Sequence, residues 1–426
     1  MGFAVRLQDE GHKVFIAYKP ADDEFDDEPE KKKAFDMVGN GMVEKYDLDK
    51  VMRKRNQFKD WYWIWDGNHN TKEGEQLRKE GFKVFGGSEL TDKMEHDRDF
   101  GTQIAKDAGM DMLPTFDFKN LPDGIKFLQE NEDKAYVFKP DGNQDADLTF
   151  VPSNWNNEHA NHELVRYMNS LDKSVASYIL QERVKGVEIN VEAWIYQGKP
   201  FFAFANFENK RKLNKDAGCN VGCAQDVGFT VPLESQLVKN TIAKLFPYYQ
   251  KIKYTGFADC NIIISDKGFY FIEFCNRFGY NSHPNLFLNL AKDDFGNIMC
   301  DFIDGKIDNF YDRFRYGFGA SVSLYLDKPR SALPIYIDKE IEKNFYPYDL
   351  YKDNDDYFIA GYDTQVGILA KHGYTIEEAG QEALDCIDIH EEINFPNISY
   401  RSDIHKNDWL TSPRKRYDAI KAMNLI

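Results

Sequence analysis

An α/β and α+β multidomain fold is what this sequence predicts, and three observations carry the prediction. The chain is 426 residues long, short apolar runs alternate with helical patterns up to residue 92, and a strand-rich stretch follows residue 130. A chain of that length exceeds one ordinary hydrophobic core, so several domains with clefts between them are expected. Hydrophobic residues make up 42% and aromatics 15%, enough to build such cores and too much for a disordered chain.

The elements follow in order. Phe3 to Leu7 has helical spacing, Gly11-His12 breaks it, and Val14 to Tyr18 is an apolar run, so a helix feeds a strand. The acidic stretch Asp22 to Glu30, with Lys31, Lys32 and Lys33 behind it, is a solvated loop or helix edge. Trp61 to Trp65 closes on Asp66-Gly67, as a buried parallel strand entering a ligand-side loop does. A helix around Glu75 to Lys79, the strand Lys83 to Phe85 and the turn Gly86-Gly87-Ser88 complete a second α/β unit, so the first domain reads as an open doubly wound sheet.

Next come a helix over Arg98 to Ala108 and a strand Tyr136 to Lys139 running into Pro140-Asp141-Gly142. Strands are expected over Ser177 to Arg183, Ile189 to Tyr196 and Pro200 to Asn206. Asn261 to Ser265 and Phe269 to Phe274 flank the hairpin turn Asp266-Lys267-Gly268. Strands Gly317 to Leu326 and Thr364 to Ala370, then a helix Thr375 to His390 capped by Thr375, make a small closing domain.

Charge and cysteines exclude several classes. A formal charge of −17 and a pI near 5.1 oppose a phosphate backbone, so no nucleic-acid partner is expected. No apolar run reaches the roughly 18–20 residues of a membrane span and no secretion signal opens the sequence, so a cytoplasmic protein is expected. The six cysteines have no framework spacing; Cys219 and Cys223 lack a second pair at zinc-site spacing. Neither a hydrolase elbow nor a nicotinamide-type glycine fingerprint stands out.

The chemistry-bearing candidates sit at strand ends. Glu273 ends an apolar strand with Asn276 and Arg277 just beyond it: a carboxylate and an amide oxygen suit Mg2+, and a guanidinium suits a phosphate. Lys139 at another strand end can reach nucleotide phosphates, and Glu182 and Glu188 flank the turn Lys185-Gly186. Taken singly, each is more readily an ordinary surface residue or a local ion pair.

Their order changes the weighing. Arg98, Lys139-Pro140-Asp141-Gly142, Gln181-Glu182-Arg183-Val184-Lys185-Gly186-Val187-Glu188 and Glu273-Phe274-Cys275-Asn276-Arg277-Phe278-Gly279 resemble the motifs of the ATP-grasp superfamily. More closely they are similar to those of the phosphoribosylamine–glycine ligase family, which couples glycine to phosphoribosylamine in purine biosynthesis. Glu208-Asn209-Lys210-Arg211 and Asp216-Ala217-Gly218-Cys219-Asn220-Val221-Gly222 resemble that family's substrate-side segment. Val366 to Ala370 with Tyr400-Arg401-Ser402-Asp403-Ile404 resembles its terminal domain.

The resemblance implies an ATP-grasp fold: an N-terminal doubly wound (pre-ATP-grasp) substrate domain over 1–92, an ATP-grasp domain over 93–310, and a small C-terminal closing domain over 311–426. It implies an ATP-dependent carboxylate–amine ligase acting through an acyl phosphate, with ATP and Mg2+ or Mn2+ as cofactors. Arg98, Lys139, Glu182 and Glu188 would hold the nucleotide, and Glu273 with Asn276 or Asn261 the metal. Arg277, Lys210 and Arg211 would steady the transferring phosphoryl group, and Asp216, Asn220 and Gly222 would meet substrate. The partners implied are glycine and phosphoribosylamine or another amine, with no membrane, in a monomer or homodimer.

The sequence also departs from the family. The family's first strand and glycine-rich turn should precede the helix beginning at Gly2, so either the chain starts upstream or that loop's phosphate recognition is lost. Its Gly-Lys-Gly phosphate loop reads Ala146-Asp147-Leu148 here, Cys275 takes the slot of a metal-binding Asn, and Asp-Pro-Glu reads Tyr280-Asn281-Ser282. Two alternatives stay open on these differences: a ligase with a different amine acceptor, and a non-catalytic descendant with a binding or structural role.

Overall fold

The computed structural model of the chain describes residues 1–19, 28–140, 148–152, 156–171, 177–279, 281–387, 393–394 and 397–426. The loop 143–147, Tyr280, much of the acidic stretch 22–30 and the expected helix end at 388–390 lie outside the described residues. The chain divides into two compact units. The larger comprises Met1–Asp92, Ile189–Asp259 and Cys275–Ile426, the smaller Lys93–Glu188 and Cys260–Phe274.

In the larger unit the helix Gly2–Asp9 leads into β1 (Phe15–Tyr18), which pairs in parallel with β2 (Glu44–Asp47). Strand β3 (Tyr62–Ile64) pairs in parallel with β4 (Lys83–Phe85). These are two separate two-stranded sheets rather than one continuous sheet. Val14 to Ala17 and Tyr62 to Trp65 line one groove of about 460 Å3 together with Phe3 and Leu7. Successive strand residues point to opposite faces, so a run of consecutive lining residues means that the strand edges border the groove. After β4 the chain turns through Gly86 and Gly87 at φ 70 and 59, a conformation that costs glycine little; a Cβ on Gly87 would also meet the Trp65 ring at 2.6 Å.

The smaller unit starts its sheets with β5 (Asp111–Met112) and with β6 (Thr115–Phe118), β7 (Tyr136–Pro140) and β8 (Tyr178–Glu182), the last three antiparallel in the order β6-β8-β7. Its core gathers Leu128, Tyr136, Phe138, Leu164, Met168, Tyr178 and Leu180. The helices Arg98–Asp107, Leu121–Glu130 and Asn157–Ser170 begin on Asp97, Asn120 and Asn156, whose side chains accept from backbone N–H groups that the first turn leaves unpaired.

Two strands have residues in both units, β9 (Val187–Tyr196) and β12 (Gly256–Ile264). Between them run β10 (Lys199–Leu213) and β11 (Ala217–Val231), a 15-residue antiparallel pair. Within the smaller unit the end of β12 pairs with β13 (Phe269–Phe274), the hairpin expected around Asp266-Lys267-Gly268, and β13 pairs in parallel with β5.

The large sheet continues with β14 (Phe318–Tyr325) beside β11, while β15 (Leu333–Ile337) belongs to a smaller, separate sheet. Strand β16 (Phe345–Pro347) is an edge; β17 (Leu350–Asp353) and β18 (Asp356–Ile359) form a hairpin; and β19 (Gln365–Gly373) lies between β14 and β16. The short β20 (Ile393–Asn394) adds to β15 and β21 (Ser399–Tyr400) to β14. The helix Ile376–Asp385 starts at Thr375, which accepts from Glu378 N at 3.1 Å, the cap expected from sequence. The aromatic content is spent here: Trp194 sits fully buried with Phe257, Phe302 and Phe310 at ring distances of 4.9, 5.1 and 5.3 Å.

Candidate functional site

In the smaller unit two groups of expected residues come together. Arg98 opens the helix Arg98–Asp107, and its Nη2 donates to the Pro140 carbonyl at 2.9 Å. That bond ties the helix start to the end of β7, so Arg98 and Lys139 stand at one strand end. Glu182 lies opposite Tyr136, three residues back along β7 from Lys139, and at about 3.3 Å per residue it is roughly 10 Å away along the strand. It is paired with Lys134 Nζ at 2.7 Å.

The second group is Glu188, Asn261 and Glu273. Asn261 and Glu273 are cross-strand partners on β12 and β13. Asn261 is 3% exposed; its Nδ2 donates to Glu188 Oε1 at 3.0 Å, and its Oδ1 is buried with no hydrogen-bond partner. The turn that presents Glu188 lies close against β12, since a Cβ on Gly186 would stand 2.4 Å from the Ile264 carbonyl. An orphaned amide oxygen beside carboxylates is a hard-oxygen donor set, and such a set fits Mg2+ or Mn2+.

Asn276 lies in the larger unit and is used differently. It is 3% exposed, and its Oδ1 accepts from Tyr249 OH at 2.7 Å and from Asp259 N at 3.1 Å. Both lone pairs of that oxygen are engaged, so of the two asparagines expected at the metal, Asn261 is the one with an oxygen open to an ion. Arg277 Nη1 donates to the Phe278 carbonyl at 3.3 Å. Burial first, and then the Arg277 charge, hold His283 down to about 3.

Lys210, Arg211, Asp216, Asn220 and Gly222 all lie toward the tip of the β10–β11 hairpin. Lys210 Nζ is 3.9 Å from Glu208 Oε2, Arg211 Nη1 donates to the Gly218 carbonyl at 2.9 Å, and Asn220 is the cross-strand partner of Arg211. Gly222 is exposed with φ 73. The Asp216 carboxylate accepts from Arg401 Nη1 at 2.7 Å and from the Thr411 hydroxyl, so its role here is to anchor the tip. Arg401 is fully buried and also forks onto Asp403 at 2.8 and 3.2 Å.

Sequence reasoning missed the polar interior of the large sheet. Glu192, Asn206, Asp226, His283 and Asn285 are all 1% exposed or less. The signal was available: Asn190 and Glu192, Asn206 and Glu208, then Asp226 interrupt apolar strands at even positions, and alternation puts them on one face.

Residues 96–282 match the profile of the phosphoribosylglycinamide synthetase ATP-grasp (A) domain. Phosphoribosylamine–glycine ligase of Clostridium acetobutylicum is 21% identical over 357 residues, 78% of this chain and 80% of that protein. The same-named protein of Streptococcus pneumoniae is 24% identical over 55% of this chain and 57% of its own length. In fold the chain is similar to phosphoribosylamine–glycine ligase of Thermotoga maritima, with a TM-score of 0.66 at 19% identity over 94% of this chain and 96% of that one. Biotin carboxylase of Campylobacter jejuni follows at a TM-score of 0.60 and 14% identity, over 97% and 96%.

Fold and matched segment define the class: the chain is an ATP-grasp protein. Within that class it is similar to phosphoribosylamine–glycine ligases, at 21% identity over 78% of the chain.

Proposed function

We propose that the chain is an ATP-dependent carboxylate–amine ligase that phosphorylates the carboxylate of glycine and passes the glycyl group to phosphoribosylamine. A carboxylate is a poor electrophile, and conversion to an acyl phosphate supplies the leaving group that an amine can displace. The observation that supports this most is the Glu188–Asn261–Glu273 group on β9, β12 and β13, inside the segment that matches the ATP-grasp domain.

In this reading Arg98 and Lys139 pair with the nucleotide phosphates, Glu182 and Glu188 face the adenosine, and Glu273 and Asn261 would hold Mg2+ or Mn2+. The ion, when bound, offsets phosphate charge. Arg277, Lys210 and Arg211 are assigned to the charge on the transferring phosphoryl group, and Asn220 and Gly222 to substrate. Residues 1–92, 93–310 and 311–426 serve as substrate, ATP-grasp and closing segments. The test is ADP release with ATP, Mg2+, glycine and freshly made phosphoribosylamine. Release well above that of Glu273→Ala is expected, and release equal to it rejects the assignment.

A second reading keeps the chemistry and changes the amine. Asn281 and Ser282 favour it: both are buried, with Asn281 Nδ2 donating to Ser323 Oγ at 2.9 Å, where the family carries Pro-Glu. ADP release with another amine and none with phosphoribosylamine would select it.

A further inference from the structure

Inside the larger unit, β10 and β11 bring together an oxygen-rich cluster that is buried except at Glu208, whose side chain is 17% exposed. Glu208 and Asp226 are direct cross-strand partners. Their carboxylate oxygens and the Cys223 sulfur lie within 4.8 Å of one another. Two amides converge on Asp226, Asn206 Nδ2 donating to Oδ2 at 2.5 Å and Asn285 Nδ2 to Oδ1 at 2.7 Å. Each spends its NH2 group on the carboxylate, so each is left with an oxygen beside it. Both residues are 0% exposed and neither oxygen has a hydrogen-bond partner.

Buried acceptors without donors are costly, and two of them beside a carboxylate pair ask for positive charge. One neighbouring cation is engaged elsewhere and one reaches the edge of the cluster. Arg416 donates to the Glu208 carbonyl and to Asn209 Oδ1, and Lys210 Nζ stands 3.9 Å from Glu208 Oε2.

We propose that Glu208, Asp226, Asn206 and Asn285 form a binding site for one hard divalent cation of the size of Ca2+. Two carboxylates match a double positive charge, and amide oxygens are ordinary ligands for Ca2+, which accepts irregular oxygen shells. Mg2+ fits less well, because it asks for a near-regular octahedron and holds on to its waters, while three of these four side chains are buried. The Cys223 thiol donates to the Gln225 carbonyl at 3.1 Å, so the soft donor beside the cluster is already engaged. The ion would pin the β10–β11 pair to the segment Ser282–Leu290. This inference stands apart from the proposed ligase reaction and uses none of the residues assigned to nucleotide or its metal.

The test titrates Ca2+ into the Glu273→Ala protein without nucleotide, by calorimetry and by thermal unfolding. One ion per chain and a rise in Tm of roughly 5 °C at saturation are expected. Both effects should weaken at least tenfold in Ca2+ concentration in Glu208→Gln and in Asp226→Asn. Glu208→Gln leaves the Asp226 amide contacts in place, so it reads the site even if Asp226→Asn does not fold. No heat and no Tm shift, or an unchanged affinity in Glu208→Gln, would mean that water alone fills the cluster, and the proposal fails.

Discussion

Asn261 donates to Glu188 at 3.0 Å, and that single bond decides which way the asparagine amide is turned. With its NH2 group held by the carboxylate, the amide oxygen stays buried and open, beside Glu273 across the strand pair. Asn261 thus keeps an amide oxygen without a hydrogen-bond partner, while that of Asn276, beside Arg277, is taken up by Tyr249 and Asp259.

Replacing Asn261 by Ala removes that oxygen and leaves Glu188 without the amide. Mn2+ binding in the presence of ATP, read by electron paramagnetic resonance, should weaken by about tenfold or more. The Asn276→Ala protein should instead lose stability, because two buried donors lose their acceptor. Equal metal affinity in wild type and Asn261→Ala would count against the assignment.

Lys139→Ala tests the phosphate side. Loss of one charge-assisted contact costs about 1.5–3 kcal/mol, so ATP and ADP should bind roughly 10- to 100-fold more weakly. Adenosine affinity, measured by the same calorimetry, should not change. A matching loss for adenosine would place Lys139 away from the phosphates.

Arg401→Ala should destabilise the larger unit by about 3–5 kcal/mol, because it leaves Asp403 buried and Asp216 without its charged partner. Denaturant unfolding checks this. A loss below about 1 kcal/mol would show that the hairpin tip does not depend on the bridge.

Acid stability should depend on His283. Its folded value of about 3 lies below the ordinary 6.5, so between those pH values the unfolded chain binds the extra proton. Stability from this group is complete above pH 6.5 and falls as the pH drops toward 3. Asp226, raised to about 7 first by burial and then by Glu208, acts in the opposite sense, favouring the folded state below its own value. His283→Gln should therefore flatten the loss of stability between pH 6 and 4. An unchanged slope would show that the imidazole is protonated in the folded state.

Much of this was legible in the sequence. Periodicity placed the strands ending at Lys139 and Glu273, and the hairpin at Asp266-Lys267-Gly268, because strand ends and turn residues are local signals. The cap at Thr375 was readable for the same reason. What stayed hidden depends on partners distant in sequence. The Asn261–Glu188 bond spans 73 positions, and Arg401 to Asp216 spans 185. The 15-residue length of β10 was also missed, since Glu208 to Lys212 is too polar to read as a strand until β11 covers it. The parting of β1–β2 from β3–β4 left no local trace, because pairing between strands is not written in either strand alone.

The most direct test of the ligase account follows an oxygen atom. Glycine labelled with 18O in its carboxylate is incubated with ATP, Mg2+, phosphoribosylamine and the protein, and the released phosphate is weighed by mass spectrometry. An acyl phosphate route predicts one 18O atom in each phosphate formed with product. Phosphate carrying no label, released at the same rate as product, would contradict it.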